Sequence, residues 1–479
     1  MKSRFTKIAF VSIVASAMLL LITGCDPFGS QHDLDDGLEL ISNHENLENL
    51  LYSTEDELDA LYSRAPGDIV DWKLAREFAE IAFEEMISDG SFPVDANLRD
   101  LPITVYNSEG ILKYYEFRVN SIENTPIGAI TTVARETDGY PIAFRLLFPS
   151  SYSDSLETLF NQGVITEDDL LRVVTNDYPE YAIGVFSATR SNDQIESILD
   201  PITGSELSKE EVKEPLGLDD LIQEIPAMAT ELSQEIDEMN TYKQEIADFW
   251  KEANTRKGSL RDSVTRKTYE TNYVPGYSSV KNNYWFPSDL VSQKYSFWCG
   301  PSSVNFVLGY MNYRGLVSYN PRSSTDYLSM ESALERLDWG PVMPWKIQSG
   351  VTKFATNYKV VSTGWNLGSL TTLFVSLFTG DPIPAVIGMV YDNINVWDAI
   401  KKSVNSDQIP GISLRGIRWG AWQPHYRNVA GYRVTGWDFL FIHYRQNEMY
   451  IHDQNQHDHG MWESYNPIYH WQYFRITKK

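Results

Sequence analysis

The distribution of charge along the chain most constrains what it can fold into. Residues 1–270 carry 22 Lys and Arg against 51 Asp and Glu, a net charge of −29, whereas residues 271–479 carry 18 against 14, a net charge of +4. Such a change predicts separately built parts, and 479 residues are typical of two or three domains. The total charge of −25 argues against a nucleic-acid partner, because that binding depends on Lys and Arg neutralising phosphates.

The first 25 residues have the features of an export signal. Lys2, Arg4 and Lys7 precede a 17-residue apolar stretch, shorter than the roughly 20 residues of a membrane-spanning helix. The ending LITGC resembles a bacterial lipoprotein signal, which implies that Cys25 is lipidated and begins the mature chain. An uncleaved anchor helix is the alternative. In either case we expect the protein in the bacterial cell envelope, attached to a membrane and exposed outside the cytoplasm.

The acidic front part is predicted to contain three segments after the signal. Residues 26–69 are polar and acidic, which suits a tether with one or two helices. Residues 70–200 are predicted to be a small α+β unit, with an amphipathic helix from Asp71 to Gly90 and then four strand-like runs separated by turns. Residues 201–270 are predicted to be an acidic helical linker. Its basic end, from Lys251 to Lys267, is either a solvated hinge or a site of proteolytic processing.

A candidate nucleophile lies in the domain predicted for residues 271–479. Two cysteines cannot build a disulfide scaffold or a cysteine-based zinc module, and a lipidated Cys25 leaves Cys299 as the one free thiol. Gly300 and Pro301 suit the first turn of a helix. Apolar residues then follow at helical spacing: Val304, Val307, Leu308 and Met311. The N-terminus of a helix favours a thiolate through the helix dipole and free N–H groups.

Residues suited to assist this thiol flank it in the sequence. Gln293 can present a side-chain amide to Cys299 as an oxyanion donor. His425 begins an apolar, strand-like run, and a second such run ends in Asp453. Two adjacent antiparallel strands would place His425 beside Asp453, giving the base and orienting group that a thiol nucleophile requires. Asn455, two residues further on, is the alternative orienting residue.

These motifs together resemble the papain-like cysteine peptidases of the bacteriocin-processing (double-glycine leader) type. The resemblance covers about residues 274–479 and is carried by Q-x5-C-G-P, H-Y-x-x-V-x-G-Y and an apolar strand that ends in Asp. It implies an α+β, papain-like fold in which a helical lobe carries the nucleophile and an antiparallel sheet forms the second lobe. It also assigns roles to individual residues: Cys299 as nucleophile, His425 as general base and acid, Asp453 as orienting group, and Gln293 in the oxyanion hole.

The sequence departs from the family pattern in two places. The helix begins GPSS where GPA is usual. The separation of 28 residues between His425 and Asp453 is also longer than the pattern, which is why Asn455 stays open as the orienting residue.

Residues 70–148 resemble the pro-domains of streptopain-type cysteine peptidases. The resemblance is carried by an A-x-x-F-A-type helix and the runs ITVYNSEG, YYEFRVN and PIGAITTVA. It implies a front half that inhibits the back half or assists its folding. The opposite net charges would favour docking of the acidic half onto the catalytic domain. Surface acidity that keeps an exported protein soluble is the alternative explanation.

Three functions are consistent with these residues. The first is hydrolysis of a peptide or protein substrate through a Cys299 thioester. An acyltransferase or amidase would use the same thiol, and a papain-like lipoprotein with an inactive site would only bind its partner. No cofactor is expected, because the thiol and its acid–base partner supply the chemistry. The stretch His457–His459 lacks metal-ligand spacing and is predicted to be a solvated loop rather than a metal site.

Overall fold

Helices and strands are mixed along the chain, which confirms the predicted α+β class. The computed structural model describes residues 44–65, 69–147, 152–166, 168–175, 178, 181–187, 195–208, 233–276, 299–334, 346–364, 390–391, 395–415, 425–439, 442–452 and 460–479. The predicted export signal and the tether up to residue 43 lie outside these ranges. No helix within them has the length and apolar composition needed to cross a membrane.

The front part begins with short helices followed by a longer amphipathic one. A 3₁₀ helix spans His44–Leu51, and α1 spans Glu55–Arg64. Helix α2, Trp72–Ser88, starts after Asp71, whose carboxylate accepts the backbone N–H of Lys73 at 2.8 Å. The helix ends before Gly90, whose φ of +77° suits a residue without Cβ. The whole predicted apolar stripe is buried: Leu74, Phe78, Ile81, Ala82 and Met86.

The four predicted strand-like runs form an antiparallel meander, as expected from their alternation and turns. They correspond to β2 Ile103–Tyr106, β3 Leu112–Asn120, β4 Pro126–Val133 and β5 Ile142–Leu146, and a two-residue strand before them, β1 Asn97–Leu98, pairs with β3. Helix α3, Tyr152–Asn161, then leads to three more strands: β6 Leu170–Val174, β7 Ala182–Phe186 and β8 Ile195–Leu199. Strand β6 pairs in parallel with β2, so the front sheet is mixed.

The segment expected to be a linker contributes to the core. It contains α4, Ser233–Thr255, then α5, Leu260–Ser263, and most of β9, Val264–Tyr273. Strand β9 pairs antiparallel with β13, His425–Phe439. Trp250 of α4 is 1% exposed, and its ring meets that of Phe78 edge-on with 5.6 Å between centroids. The basic stretch from Lys251 to Lys267 therefore runs through helix and strand, while proteolytic processing there stays a prediction.

The back part combines a group of helices with strands. The helices are α6 Cys299–Tyr313, α7 Ser324–Ala333, α8 Ile347–Phe354 and α9 Val396–Lys402. The strands, besides β13, are β10 Tyr358–Gly364, β11 Val390–Tyr391, β12 Gly411–Arg415, β14 Ile442–His452, β15 Gly460–Ser464 and β16 His470–Lys478. Val307, Met330 and Val351 share one buried apolar cluster, which packs α6, α7 and α8 together.

One hydrogen-bonded sheet runs through both parts of the chain. Among the described strands the order is β11-β10-β16-β12-β13-β14-β15-β5-β4-β3-β2-β6-β7-β8, with β1 beside β3 and β9 beside β13. The two parts join where β5 pairs antiparallel with β15, with Arg145 opposite Trp462. All described residues belong to one compact unit, residues 44–336 and 340–479. Front and back are therefore linked by backbone hydrogen bonds as well as by side chains.

A cluster of five charged side chains lies where front and back meet, here called the seam cluster: Glu85, Arg145, Arg266, Arg433 and Glu448. Arg145 donates to Glu85 Oε2 at 3.0 Å and also to Glu448. Arg266 donates to Glu448 Oε1 at 2.9 Å and also to Glu85, and Arg433 Nε donates to Glu448 Oε2 at 2.6 Å. Burial by itself would raise the pKa of Glu85, but Arg266 and Arg433 outweigh it and lower the pKa. Removing one member would leave others buried without compensation.

Candidate active site around Cys299

Two of the predicted catalytic residues, Cys299 and His425, lie in the described parts of the chain. The other sites predicted from the sequence lie outside them: Gln293, Asp453, Asn455, Cys25 and the His457–His459 loop. Within the described ranges, no group of three or more His, Cys, Asp or Glu side chains is arranged to hold a metal ion. The geometry of the candidate site is therefore built from Cys299, His425 and their described neighbours.

Cys299 is the first residue of α6, which confirms the helix predicted to begin here. Its side chain is 8% exposed, and the residues from Gly300 to Met311 are buried as well. Pro301 occupies the first turn, where its missing N–H leaves no helical hydrogen bond unmade. The thiol thus lies at the N-terminus of a 15-residue helix that is anchored in the core.

Helix α6 is fixed to strand β13 near its first turn. The Asn428 side-chain N–H donates to the Ser303 carbonyl at 3.1 Å, and both residues are fully buried. His452, the register partner of Asn428 on β14, packs its ring 4.6 Å from that of Phe306. Because Ser303 is one turn after Cys299 and Asn428 is three residues after His425, these contacts bring the nucleophile helix and the strand of the predicted base side by side.

Tyr426 on β13 is a neighbour of Cys299. Burial, and after it the negative charge of the Cys299 thiolate, raises the pKa of the Tyr426 hydroxyl well above its usual range. Tyr426 and its register partner Leu414 also belong to the same buried cluster as Cys299. The start of β13 therefore lies close to the Cys299 thiol, and the Tyr426 side chain near this thiol is a neutral hydroxyl.

His425 is the first residue of β13, and its register partner on β12 is Arg415. Arg415 and Arg427 both contact the Glu463 carboxylate, at 3.0 and 2.6 Å. Side chains two apart on a strand share a face. Tyr426 and Asn428 therefore share the face of β13 toward α6, and Cys299 and His425 lie at the same end of the strand.

The side of the sheet that carries Arg415 and Glu463 holds a cavity of about 60 Å³, here called the Glu463 chamber. His470 Nε2 lies 3.2 Å from Glu463 Oε1. Burial alone would raise the pKa of Glu463, but Arg415 and Arg427 outweigh it and lower the pKa to about 2. Front-part residues, Tyr178 among them, complete the wall.

This chamber could not be predicted from the sequence, because its residues come from separate strands in both parts of the chain. The signal that could have suggested it is the presence of Arg427 and Glu463 within otherwise apolar strand runs, since a buried charge requires a partner.

Comparison with known protein families, with characterised proteins and with solved structures finds no match to this chain. The resemblance to papain-like peptidases therefore depends on the motifs around Cys299 and His425, and the function is argued from the site itself.

Proposed function

We propose that this protein is an exported, lipid-anchored thiol hydrolase that cleaves peptide bonds by a papain-like mechanism, with Cys299 as nucleophile and His425 as general base and acid. One observation carries the proposal: Cys299 opens a buried helix whose first turn is hydrogen-bonded to β13, the strand that His425 begins. Nucleophile and base then lie on two rigid elements in contact, the arrangement that precise positioning of reacting groups requires.

The proposed reaction proceeds through a thioester. The Cys299 thiolate attacks the carbonyl carbon of the peptide bond, the C–N bond breaks, and the leaving amine takes a proton from the His425 imidazolium. A water molecule that gives its proton to His425 then cleaves the thioester, which releases a carboxylate and restores the thiol. Asp453, or Asn455 in its place, would orient the imidazole, and Gln293 would donate to the oxyanion.

The proposed papain-like lobes correspond to two groups of elements in the back part. Helices α6, α7 and α8, which share an apolar cluster, would form the helical lobe. Strands β10, β16, β12, β13 and β14, in which each pairs antiparallel with the next, would form the sheet lobe. The buried contact between α6 and β13 supports a site at the junction of the two.

We further propose that the acidic front part remains docked on this catalytic domain. Support comes from ion pairs that join residues 1–270 to residues 271–479. Arg145 pairs with Glu448, and Arg433 Nη1 lies 3.9 Å from Asp89 Oδ2. The β5–β15 pairing adds a backbone link between the two parts.

The proposal is tested with full-length protein purified in detergent, assayed on a fluorogenic peptide library and with an electrophilic thiol probe. Cys299→Ala and His425→Ala should each reduce hydrolysis by about a thousandfold or more, because the nucleophile and its base act as a unit. Cys299→Ala should also abolish probe labelling. His443→Ala, an exposed histidine on β14 paired with Asp438, is the matched control and should retain activity. Undiminished hydrolysis by the Cys299→Ala protein would exclude the proposal.

A lipoprotein that binds its partner through an inactive papain-like domain is the second candidate function. The observation that favours it is that Tyr426, which follows His425 on β13, interacts with Cys299 as a neutral hydroxyl. In that case the probe would label Cys299 equally well in wild-type and His425→Ala protein, and neither would hydrolyse any member of the library. Labelling that depends on His425 would favour the hydrolase.

A further inference from the structure

A separate cleft opens along α4, and we propose that it binds an organic cation, a guanidinium or ammonium group of the kind that an Arg or Lys side chain carries. The cleft lies between α4 and residues of β14, α9 and the segment after β15, and its volume is about 470 Å³. This size is within the usual range of ligand pockets. Neither Cys299 nor His425 lines it, so the proposal does not depend on the proposed function.

Aromatic rings form the walls of this cleft: Tyr140, Tyr242, Trp397 and Tyr465. The Tyr140 and Tyr242 rings meet edge-on with 6.1 Å between centroids, and Trp397 and Tyr465 lie 5.5 Å apart at 38°. Each pair brings together residues that are far apart in the sequence. Aromatic faces attract cations through the ring quadrupole, with Trp the strongest, and they also cover the apolar stem of a basic side chain.

The charges that line the cleft are mainly negative. Asp237, Glu238 and Glu245 contribute three carboxylates against the single guanidinium of Arg445, a net charge of −2. Arg445 is held over the ring of Tyr269, 5.2 Å from its centroid. Among the described residues, no Lys or Arg contributes to the pKa shift of Glu245, whose one cause is burial.

The carboxylates interact directly with the aromatic walls. Burial, and after it the charge of Glu245, raises the pKa of Tyr140, and burial followed by Glu238 raises the pKa of Tyr465. Burial also raises the pKa of Glu245, which means that its carboxylate is incompletely solvated. A bound cation would stabilise that carboxylate and contact the rings at the same time.

The chemistry of the lining excludes other classes of occupant. An anion would be repelled by the net negative charge, and a neutral apolar ligand would leave the carboxylates unused. A metal ion needs converging ligands, and no group of three or more His, Cys, Asp or Glu side chains in the described ranges is arranged in that way. An organic cation uses both the rings and the carboxylates.

The test compares two probes that differ in charge and hardly in shape, N-acetyl-arginine amide and N-acetyl-citrulline amide. Calorimetric titration is carried out on the full chain carrying Cys299→Ala, so the result is the same whether or not the protein is a hydrolase. We expect the arginine probe to bind at least about tenfold more tightly than the citrulline probe, since only the former carries the charge. Equal binding of the two, or no binding of either at about 10 mM to folded protein, would overturn the proposal.

Variants locate the binding in the cleft. Glu245→Gln should weaken binding of the arginine probe about threefold or more, and Trp397→Leu about tenfold. Asp248→Asn removes the same charge from the same helix outside the cleft and should change binding less than about twofold. An equal loss in Asp248→Asn and Glu245→Gln would contradict the proposal. The Glu245 side chain is only partly buried, so Glu245→Gln stays informative even if Trp397→Leu does not fold.

Spermidine distinguishes the two sources of such a cation. Tighter binding of spermidine than of the arginine probe would assign the cleft to free polyamines, and the reverse would assign it to basic side chains of a peptide or protein. Either result, together with rejection of the citrulline probe, supports a cation site.

Discussion

Tyr426 and Glu463 show how single buried polar groups organise the two faces of the back sheet. The Tyr426 hydroxyl lies on the face that meets Cys299, and its raised pKa keeps it protonated at any physiological pH. Glu463 lies on the other face, where Arg415 and Arg427 surround its carboxylate. Because both groups are removed from water, a change of a few atoms at either position has a measurable consequence.

Tyr426→Phe should slow alkylation of Cys299 by iodoacetamide about two- to tenfold at pH 7, since it removes the neutral hydroxyl that interacts with the thiolate. Tyr473→Phe, a buried tyrosine on the opposite face of the sheet, serves as the control and should leave the rate unchanged. The measurement is the loss of free thiol over time. An unchanged rate in Tyr426→Phe would show that this hydroxyl has no influence on the thiol.

Glu463→Gln should lower the free energy of unfolding by about 3–5 kcal/mol, because Arg415 and Arg427 would remain buried without their shared carboxylate. Asp100→Asn breaks the exposed pair with Arg76 and should cost less than about 1 kcal/mol. Denaturant unfolding at pH 7 measures both. Similar losses in the two variants would mean that the buried carboxylate contributes little.

The same carboxylate predicts a specific pH dependence. Its pKa is about 2 in the folded protein, below the ordinary value of 4.5. A lowered folded pKa contributes stability that is fully present above pH 4.5 and is lost as the pH falls toward 2. Unfolding measured between pH 5 and about 2 should therefore show a steeper loss of stability in the wild type than in Glu463→Gln.

Helix α4 is the element whose position in the fold differs most from the position that its sequence predicts. Its acidic surface suggests a solvated linker, yet Ile246, Phe249, Trp250 and Ala253 are buried against front and back residues alike. Trp437 of β13 lies 6.3 Å from Phe249, measured between ring centroids. Three of its acidic residues, Asp237, Glu238 and Glu245, line the proposed cation cleft.

Trp250→Ala should destabilise the protein by about 3–5 kcal/mol, because it opens a cavity beside Phe78 and Phe249. Trp250→Phe keeps most of the volume but loses the indole N–H that donates to the Gly139 carbonyl at 2.9 Å, and should cost about 1–3 kcal/mol. Leu328→Ala, 61% exposed on α7, is the control and should stay within about 0.5 kcal/mol of wild type. Thermal or denaturant unfolding distinguishes a packed helix from a linker, for which all three changes would be neutral.

The whole molecule is held together across the boundary that the charge distribution marks. Strand β5 continues the back sheet through β15, and the seam cluster draws its members from α2, β5, β9, β13 and β14. The front part is thus attached by backbone pairing, a charged cluster and an aromatic core. A pro-segment that leaves after one cut would have to break all three.

A cut between residues 209 and 232, made at an inserted site for a specific protease, should leave the two pieces associated. They should elute together on gel filtration in buffer and separate in about 6 M urea, because the β5–β15 pairing and the seam cluster do not depend on that connection. Glu448→Gln, which weakens the seam cluster, should favour dissociation of the cut protein. If the two pieces of the cut protein without any substitution eluted separately in buffer, the front part would not be permanently docked.

Much of the fold could be predicted from local patterns. The stripe that begins at Leu74 predicts α2, the alternation and turns after Asp100 predict the front meander, and Gly300 with Pro301 predicts the start of α6. Each of these signals depends on neighbours in the sequence. The part of the candidate site that could be predicted, Cys299 at a helix N-terminus and His425 at the start of a strand, is of the same local kind.

The sequence by itself determined the α+β class, the helices and strands with clear periodicity, and the position of the thiol at the first turn of α6. Only the tertiary structure decided that front and back share one sheet, that α4 is a core helix, and that Tyr426 lies on the face of β13 toward α6. The physical reason is that periodicity records which side of an element is buried, whereas strand order and register depend on partners far away in the chain. The change in net charge near residue 270 marks a boundary in the sequence, and the β5–β15 pairing and the shared core join the two parts across it.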